Sequence, residues 1–135
     1  MSKEFLFSPR SLMNLKHVHP QLVAITHRAL VLSSVDFMVT EGRRSLERQK
    51  RLVAAGASRT LKSKHLTGHA VDVAAWVDND VRWDWPLYGK IAEAFKAAAA
   101  EDGVTLTWGG DWKRLRDGPH FEIDPEAYPW PKGAE

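Results

Sequence analysis

Apolar positions along this chain follow two periods, helical in the segments after His19 and after Asp84 and alternating at 70–77. Leu22, Val23, Ile25, Ala29 and Leu30 share one helical face. His19-Pro20 starts that segment, since a proline in the first turn gives up no bonded N–H, and Ser33-Ser34 ends it. Ser8-Pro9 opens a shorter helix in the same way, reaching about Leu15. The β-branched run 35–40 predicts a strand, and Ser45 caps a helix to about Ala55 that stops at Gly56. Residues 57–69 read as loop. Residues 70–77 alternate well enough for a strand, Asp78-Asn79-Asp80 is turn chemistry, and 81–83 returns as its partner. Asp84 caps a helix starting near Trp85-Pro86, with Leu87, Ile91, Phe95 and Ala98 on its buried side and Gly103 closing it. Residues 104–108 and 120–123 predict two more strands around a turn-rich connection.

Helices gathered early and strands gathered between 70 and 123 predict an α+β fold: a small, mostly antiparallel sheet with helices packed on one side. The 135 residues suit a single domain, with its core at about 8–124 and an irregular tail at 125–135 that holds Pro125, Pro129, Pro131 and Gly133. A monomer is the expected state. Apolar residues make up 44% and charged residues 27%, the balance of an ordinary soluble globular protein. No run approaches the roughly 18 apolar residues of a membrane span, so stable membrane insertion is not expected. The opening MSKEFLFSPRS has no long apolar core, so the expectation is a cytoplasmic product without a conventional signal peptide. The net charge of +2 favours an anionic partner such as a cell-wall polymer. The basic run at 42–51 has no interleaved aromatics and reads mainly as a solvated helix face, which argues against nucleic acid.

The chain has no cysteine, so any metal must be held by His, Asp or Glu. The stretch SKHLTGHAVDVAAW, residues 63–76, offers such groups beside a segment built for a core. His65 and Asp72 are two candidate ligands, with Gly68 between them to bend the loop. Asp72 lies inside an apolar run, where an unpaired carboxylate is costly to bury and a metal ion would settle its charge. His120, opening the last strand, is the best third ligand, because antiparallel pairing could set it beside Asp72. Asp117, three residues earlier, could exchange protons with a bound water, and Arg44 could steady an oxyanion, with Arg43 as its competitor. Blander readings stand beside these: Asp72 as a buried hydrogen bonder, Asp117 as a turn residue in RDGP, Arg44 as an exposed charge at a helix start. His69 forms an i, i+4 pair with His65, but Leu66 stands where a zinc-binding helix motif carries glutamate, so His69 is a minor alternative ligand. His17, His19 and His27 are read as structural.

SKHLTGHAVD fits the pattern S-x-H-x-x-G-x-A-x-D, and DGPHFEI supplies a downstream D-x-x-H. EGRRSLERQKRLVAAG is similar to a G-x-R-S segment, and WGGDW to a closing strand and loop. Together these resemble the zinc peptidases that include D-alanyl-D-alanine carboxypeptidases and phage L-alanyl-D-glutamate endopeptidases, over about residues 36–124. The resemblance implies that His65, Asp72 and His120 bind Zn2+, that Asp117 is the catalytic acid/base, that Arg44 is the carbonyl or oxyanion partner and that Ser63 binds substrate or supports the ligand beside it by a hydrogen bond. Aspartate at 117, where many relatives carry glutamate, resembles the phage endolysin branch. The expected activity is hydrolysis of the L-Ala–D-Glu bond of peptidoglycan stem peptides by zinc-activated water, at the cell wall or periplasm after release from the host cytoplasm. The alternatives are a D-alanyl-D-alanine carboxypeptidase of the same fold and a non-catalytic zinc or wall-binding module. Manganese or cobalt could replace zinc in such a ligand set.

Overall fold

Four helix starts lie where serine, histidine, aspartate and proline predict them. In the computed structural model, which describes residues 4–58 and 60–132, Ser8 caps α1 (Pro9–Asn14) by accepting a hydrogen bond from the Ser11 N–H. The His19 ring accepts from the Gln21 N–H to cap α2 (Pro20–Leu32), and Ser45 accepts from the Arg48 N–H to cap α3 (Leu46–Ala54). Each bond satisfies a donor that the first helical turn leaves free. Asp84 sits at the start of α4 (Trp85–Glu101) but makes no cap bond. Its carboxylate is taken by Arg82 at 2.8 Å, so the predicted cap is lost to an ion pair. Gly133 and the last tail residues, with Met1–Lys3 of the N-terminal stretch, lie outside the described residues.

Among the described residues the sheet has five strands, and every pairing is antiparallel: β1 (Phe37–Glu41), β2 (Ala70–Val77), β3 (Asp80–Arg82), β4 (Thr107–Trp108) and β5 (His120–Glu122), in the order β1-β2-β5-β4 with β3 on β2. β2 organises the sheet. β1 runs along one edge; on the other edge β5 pairs with Ala70–Asp72 and β3 with Ala75–Val77. Tyr88 fills the break between them: its hydroxyl accepts from the Ala75 N–H at 3.0 Å and donates to the Arg82 carbonyl at 2.7 Å.

Side chains alternate across β2 and β5. Val71, Val73 and Ala75, with Phe37, Val39, Phe121 and Ile123, enter the core beneath α2 and α4, which also pack on each other. Phe95 of α4 stacks on Phe121 with ring centroids 3.9 Å apart and meets Phe37 at 5.5 Å. Truncating so central a ring costs about 3–5 kcal/mol. The register sets Asp72 directly opposite His120, so both carry their side chains to the other face.

Two local expectations are corrected. Residues 57–69 are not loop throughout, because Lys64–Thr67 form a single 3-10 turn capped by Ser63, too short to show a period in the sequence. The strand predicted at 104–108 shrinks to Thr107–Trp108. The Val104 N–H bonds back to Ala99 at the end of α4, and the Thr105 N–H donates to the Tyr128 hydroxyl, so neither joins the ladder. The described part of the tail is irregular as expected, but it is docked through Tyr128, Pro129 and Trp130.

Candidate active site

Gly68 at the end of the 3-10 turn makes the bend that the sequence requires. It adopts φ +75°, and a Cβ there would collide with the His17 carbonyl oxygen. The chain then turns from His65 into β2. Ser63 accepts from the His65 N–H at 3.2 Å, and the Arg44 N–H donates to the His65 carbonyl at 2.9 Å, so the backbone of the turn is held on both sides.

The His65 side chain is 2% exposed, and its Nδ1 lies 2.7 Å from the Gly42 carbonyl. A carbonyl only accepts, so Nδ1 carries a proton and Nε2 is the nitrogen left for the site. Among the described residues that Nε2 is buried without a hydrogen-bond partner, and it lies 3.3 Å from Asp72 Oδ2. A cation between them, a proton or a metal ion, would join the two. His120 completes the group. Its Nδ1 is 3.0 Å from Asp72 Oδ1, and its Nε2 is 2.8 Å from Glu122 Oε1. One ligand atom from each of His65, Asp72 and His120 falls within 4.8 Å of the others, so these three residues could hold a metal ion. Two imidazoles and one carboxylate form a donor set suited to zinc with one position open.

Electrostatics bind the group together. Burial alone would raise the pKa of Asp72, but its contacts with His120 and then His65 outweigh it and hold the carboxyl well below the usual range. Burial alone would lower that of His120, yet the hydrogen bonds with Asp72 and Glu122 push it up to about 9. Glu122, which the sequence reading passed over, is itself held by Lys64 at 2.7 Å. Burial favours its neutral form, and His120 with Lys64 reverse that and lower its pKa. A carboxylate on the outer nitrogen of a metal-binding imidazole fixes the ring and its tautomer.

The other predicted residues surround the same cavity of about 560 Å³, lined by Arg44, Ser63, His65, Asp72, Trp112, Asp117 and His120. Asp117 follows the connection after β4, where its backbone packs so closely on Gly109 that a Cβ there would strike the Asp117 carbonyl oxygen. Burial, then the charge of Asp72, raises the Asp117 pKa, while His120, His65 and Arg44 pull it back in part. Arg44 is nearly buried beside Glu41, its Nη1 donates to Gln49 Oε1 at 2.7 Å, and its Nη2 is 3.7 Å from Asp72 Oδ2. Among the described residues its Nε has no hydrogen-bond partner. Arg43 is exposed and does not line this cavity.

Glu41 reaches the site through a bulge. The register of β1 slips between Val39 and Glu41, so Glu41 and not Thr40 stands opposite Asp72. No sequence signal marked that slip. Glu122 was more legible, since it lies two residues after His120 and so on the same face. His69 stays outside the group: its ring nitrogens bond the Thr67 hydroxyl and the Tyr128 carbonyl, each at 2.7 Å. The tryptophans divide. Trp108 is in the core, Trp112 lines the cavity with its ring 5.2 Å from His120, and Trp83 and Trp85 are exposed.

A family model described as phage L-alanyl-D-glutamate peptidase matches residues 2–128. The chain is 34% identical over 128 residues to the L-alanyl-D-glutamate peptidase of Escherichia phage T5, covering 92% of this chain and 93% of that one. It is 32% identical over 104 residues to the peptidoglycan L-alanyl-D-glutamate endopeptidase CwlK of Bacillus subtilis (strain 168), covering 67% and 62% of the two chains. Among solved structures, the Serratia marcescens L-Ala D-Glu endopeptidase ChiX superposes with a TM-score of 0.86 at 50% identity, covering 93% of this chain and 96% of that one.

Proposed function

The chain belongs to the phage L-alanyl-D-glutamate peptidase family, and from that premise we propose that it is a zinc endopeptidase that cuts peptidoglycan stem peptides between L-alanine and D-glutamate. One observation carries the reading: His65, whose Nδ1 is held by the Gly42 carbonyl, turns Nε2 to Asp72 and His120 in a cavity that Asp117 and Arg44 also line. His65, Asp72 and His120 are the residues proposed to hold zinc. A zinc ion there would polarise the scissile carbonyl and acidify the attacking water.

The chain's own groups do the rest. Asp117, whose burial raises its proton affinity, takes a proton from the water and returns it to the departing amino group of D-glutamate. Water is thereby added across the amide: the hydroxyl goes to the alanine carbonyl carbon and the proton to the new amine. Arg44 donates to the carbonyl oxygen as negative charge collects there. Ser63 holds the His65 backbone and lies close enough to the cavity to meet the peptide. Lys64 and Glu122 keep the His120 ring aimed.

In this reading the place of action is the cell wall. Among the described residues no helix is long and apolar enough to cross a membrane. The test is digestion of purified sacculi followed by identification of the new termini. A free amino group on D-glutamate is the expected result. Release of D-alanine instead would mean a D-alanyl-D-alanine carboxypeptidase, and no cleavage by metal-loaded protein would leave only a binding module.

A further inference from the structure

Helix α3 buries one residue completely, and that residue is a glutamine. Gln49 is 0% exposed on a helix whose other side chains are exposed or partly so. An uncharged amide in such a place is costly unless every polar atom is matched. Here each is. Gln49 Oε1 accepts from Arg44 Nη1 at 2.7 Å, and Nε2 donates to the Ser58 hydroxyl at 3.0 Å and to the Thr60 carbonyl at 2.5 Å. The arrangement has one sense only. The guanidinium can only donate and the Thr60 carbonyl can only accept, so the amide cannot flip. Ser58, Thr60 and Arg44 all line the catalytic cavity, whereas Gln49 does not.

We propose that Gln49 is a positioning residue: it sets the Arg44 guanidinium for the scissile carbonyl and ties it to the cavity wall at Ser58 and Thr60, without touching substrate. The inference rests on the role proposed above for Arg44 and deepens it. Glu41 holds the other end of the guanidinium through Nη2, so Gln49 is what fixes the rotation about that contact. The two together leave Nε and the free edge of the group in one orientation.

The test uses the full-length, metal-loaded protein and a soluble stem peptide containing the L-Ala–D-Glu bond. Gln49→Met keeps the side chain's length and removes its polar atoms. The expected result is a fall in kcat of about 10²-fold, the scale of loss from a misplaced catalytic group, with KM changed much less and metal content unchanged. Combining it with Arg44→Ala adds nothing further, because Gln49 acts through Arg44. Gln49→Glu keeps the acceptor facing Arg44 and should hold kcat within a few-fold of wild type although it loses stability; a packing role would rank these two variants the other way. A folded Gln49→Met protein with wild-type kcat, or losses that multiply with those of Arg44→Ala, would overturn the inference while the peptidase reading stands. If Gln49→Met does not fold, Gln49→Glu decides alone: turnover near wild type supports the role, and a fall as large as that of Arg44→Ala refutes it. Arg44→Ala with unaltered turnover would remove the role of Arg44 and this inference with it.

Discussion

Two pairs of histidines are buried in this chain, and in each the ring centroids are 5.1 Å apart. His19 and His69 form one pair, His65 and His120 the other. Spacing and burial do not tell them apart, but the accounting of ring nitrogens does. In the first pair His19 donates to the Pro129 carbonyl and accepts from the Gln21 N–H, and the His69 nitrogens are held by the Tyr128 carbonyl and the Thr67 hydroxyl. Every nitrogen of these two rings has a partner outside the metal-binding group, and the rings clasp the C-terminal tail. In the second pair the outer nitrogens are taken by Gly42 and Glu122, and both inner ones face the single Asp72 carboxylate, at 3.3 and 3.0 Å. A buried histidine becomes a ligand candidate when one nitrogen is committed to an acceptor and the other faces a carboxylate with which it could share a cation.

The sharpest way to break this contrast is to truncate one ring of each pair. His120→Ala should lose metal and lysis together, with affinity down by more than about 100-fold, beyond what loss of an outer partner costs; full metal occupancy by elemental analysis would contradict it. Asp117→Ala should bind metal normally and cleave sacculi about 10² to 10⁴ times more slowly. An unchanged rate would take Asp117 out of the mechanism. Glu122→Ala leaves all three proposed ligands in place, so metal affinity should fall only about 10- to 100-fold in a chelator competition. His69→Ala should keep stoichiometric metal and lose about 2–4 kcal/mol of stability, from the cavity and the stranded Tyr128 carbonyl; loss of metal in a folded His69→Ala protein would erase the distinction between the pairs. The smallest effect belongs to Asp117→Asn in metal-free protein. Burial raises the Asp117 pKa above its unfolded value, so its contribution to stability is lost as pH rises through the folded pKa. At pH 7 the asparagine variant should therefore be at least as stable as wild type, and acidification should abolish any difference in thermal melts.

Much of this was legible in the chain. Proline and small polar caps marked the helix starts because capping is local chemistry, settled within four residues. Asp72 and His120 announced each other because each interrupts a strand with a group that cannot stay alone in an apolar layer. What stayed hidden depended on distant partners. Asp84 looks like a cap until Arg82 claims it. Val104 and Thr105 look like strand until α4 and Tyr128 take their N–H groups. Gln49 lies in a run that reads as solvated basic helix, and only the approach of Arg44 and Thr60 gives its burial a reason.

The slip in β1 has a consequence for how this site can vary. With the same residues in a regular ladder, Thr40 would stand opposite Asp72 and Glu41 would turn to the other face. The carboxylate that anchors Arg44 would then point into the aliphatic layer. Deleting Thr40 removes the bulge yet leaves Glu41 opposite Asp72, so the strand here tolerates shortening by one residue better than straightening at its present length.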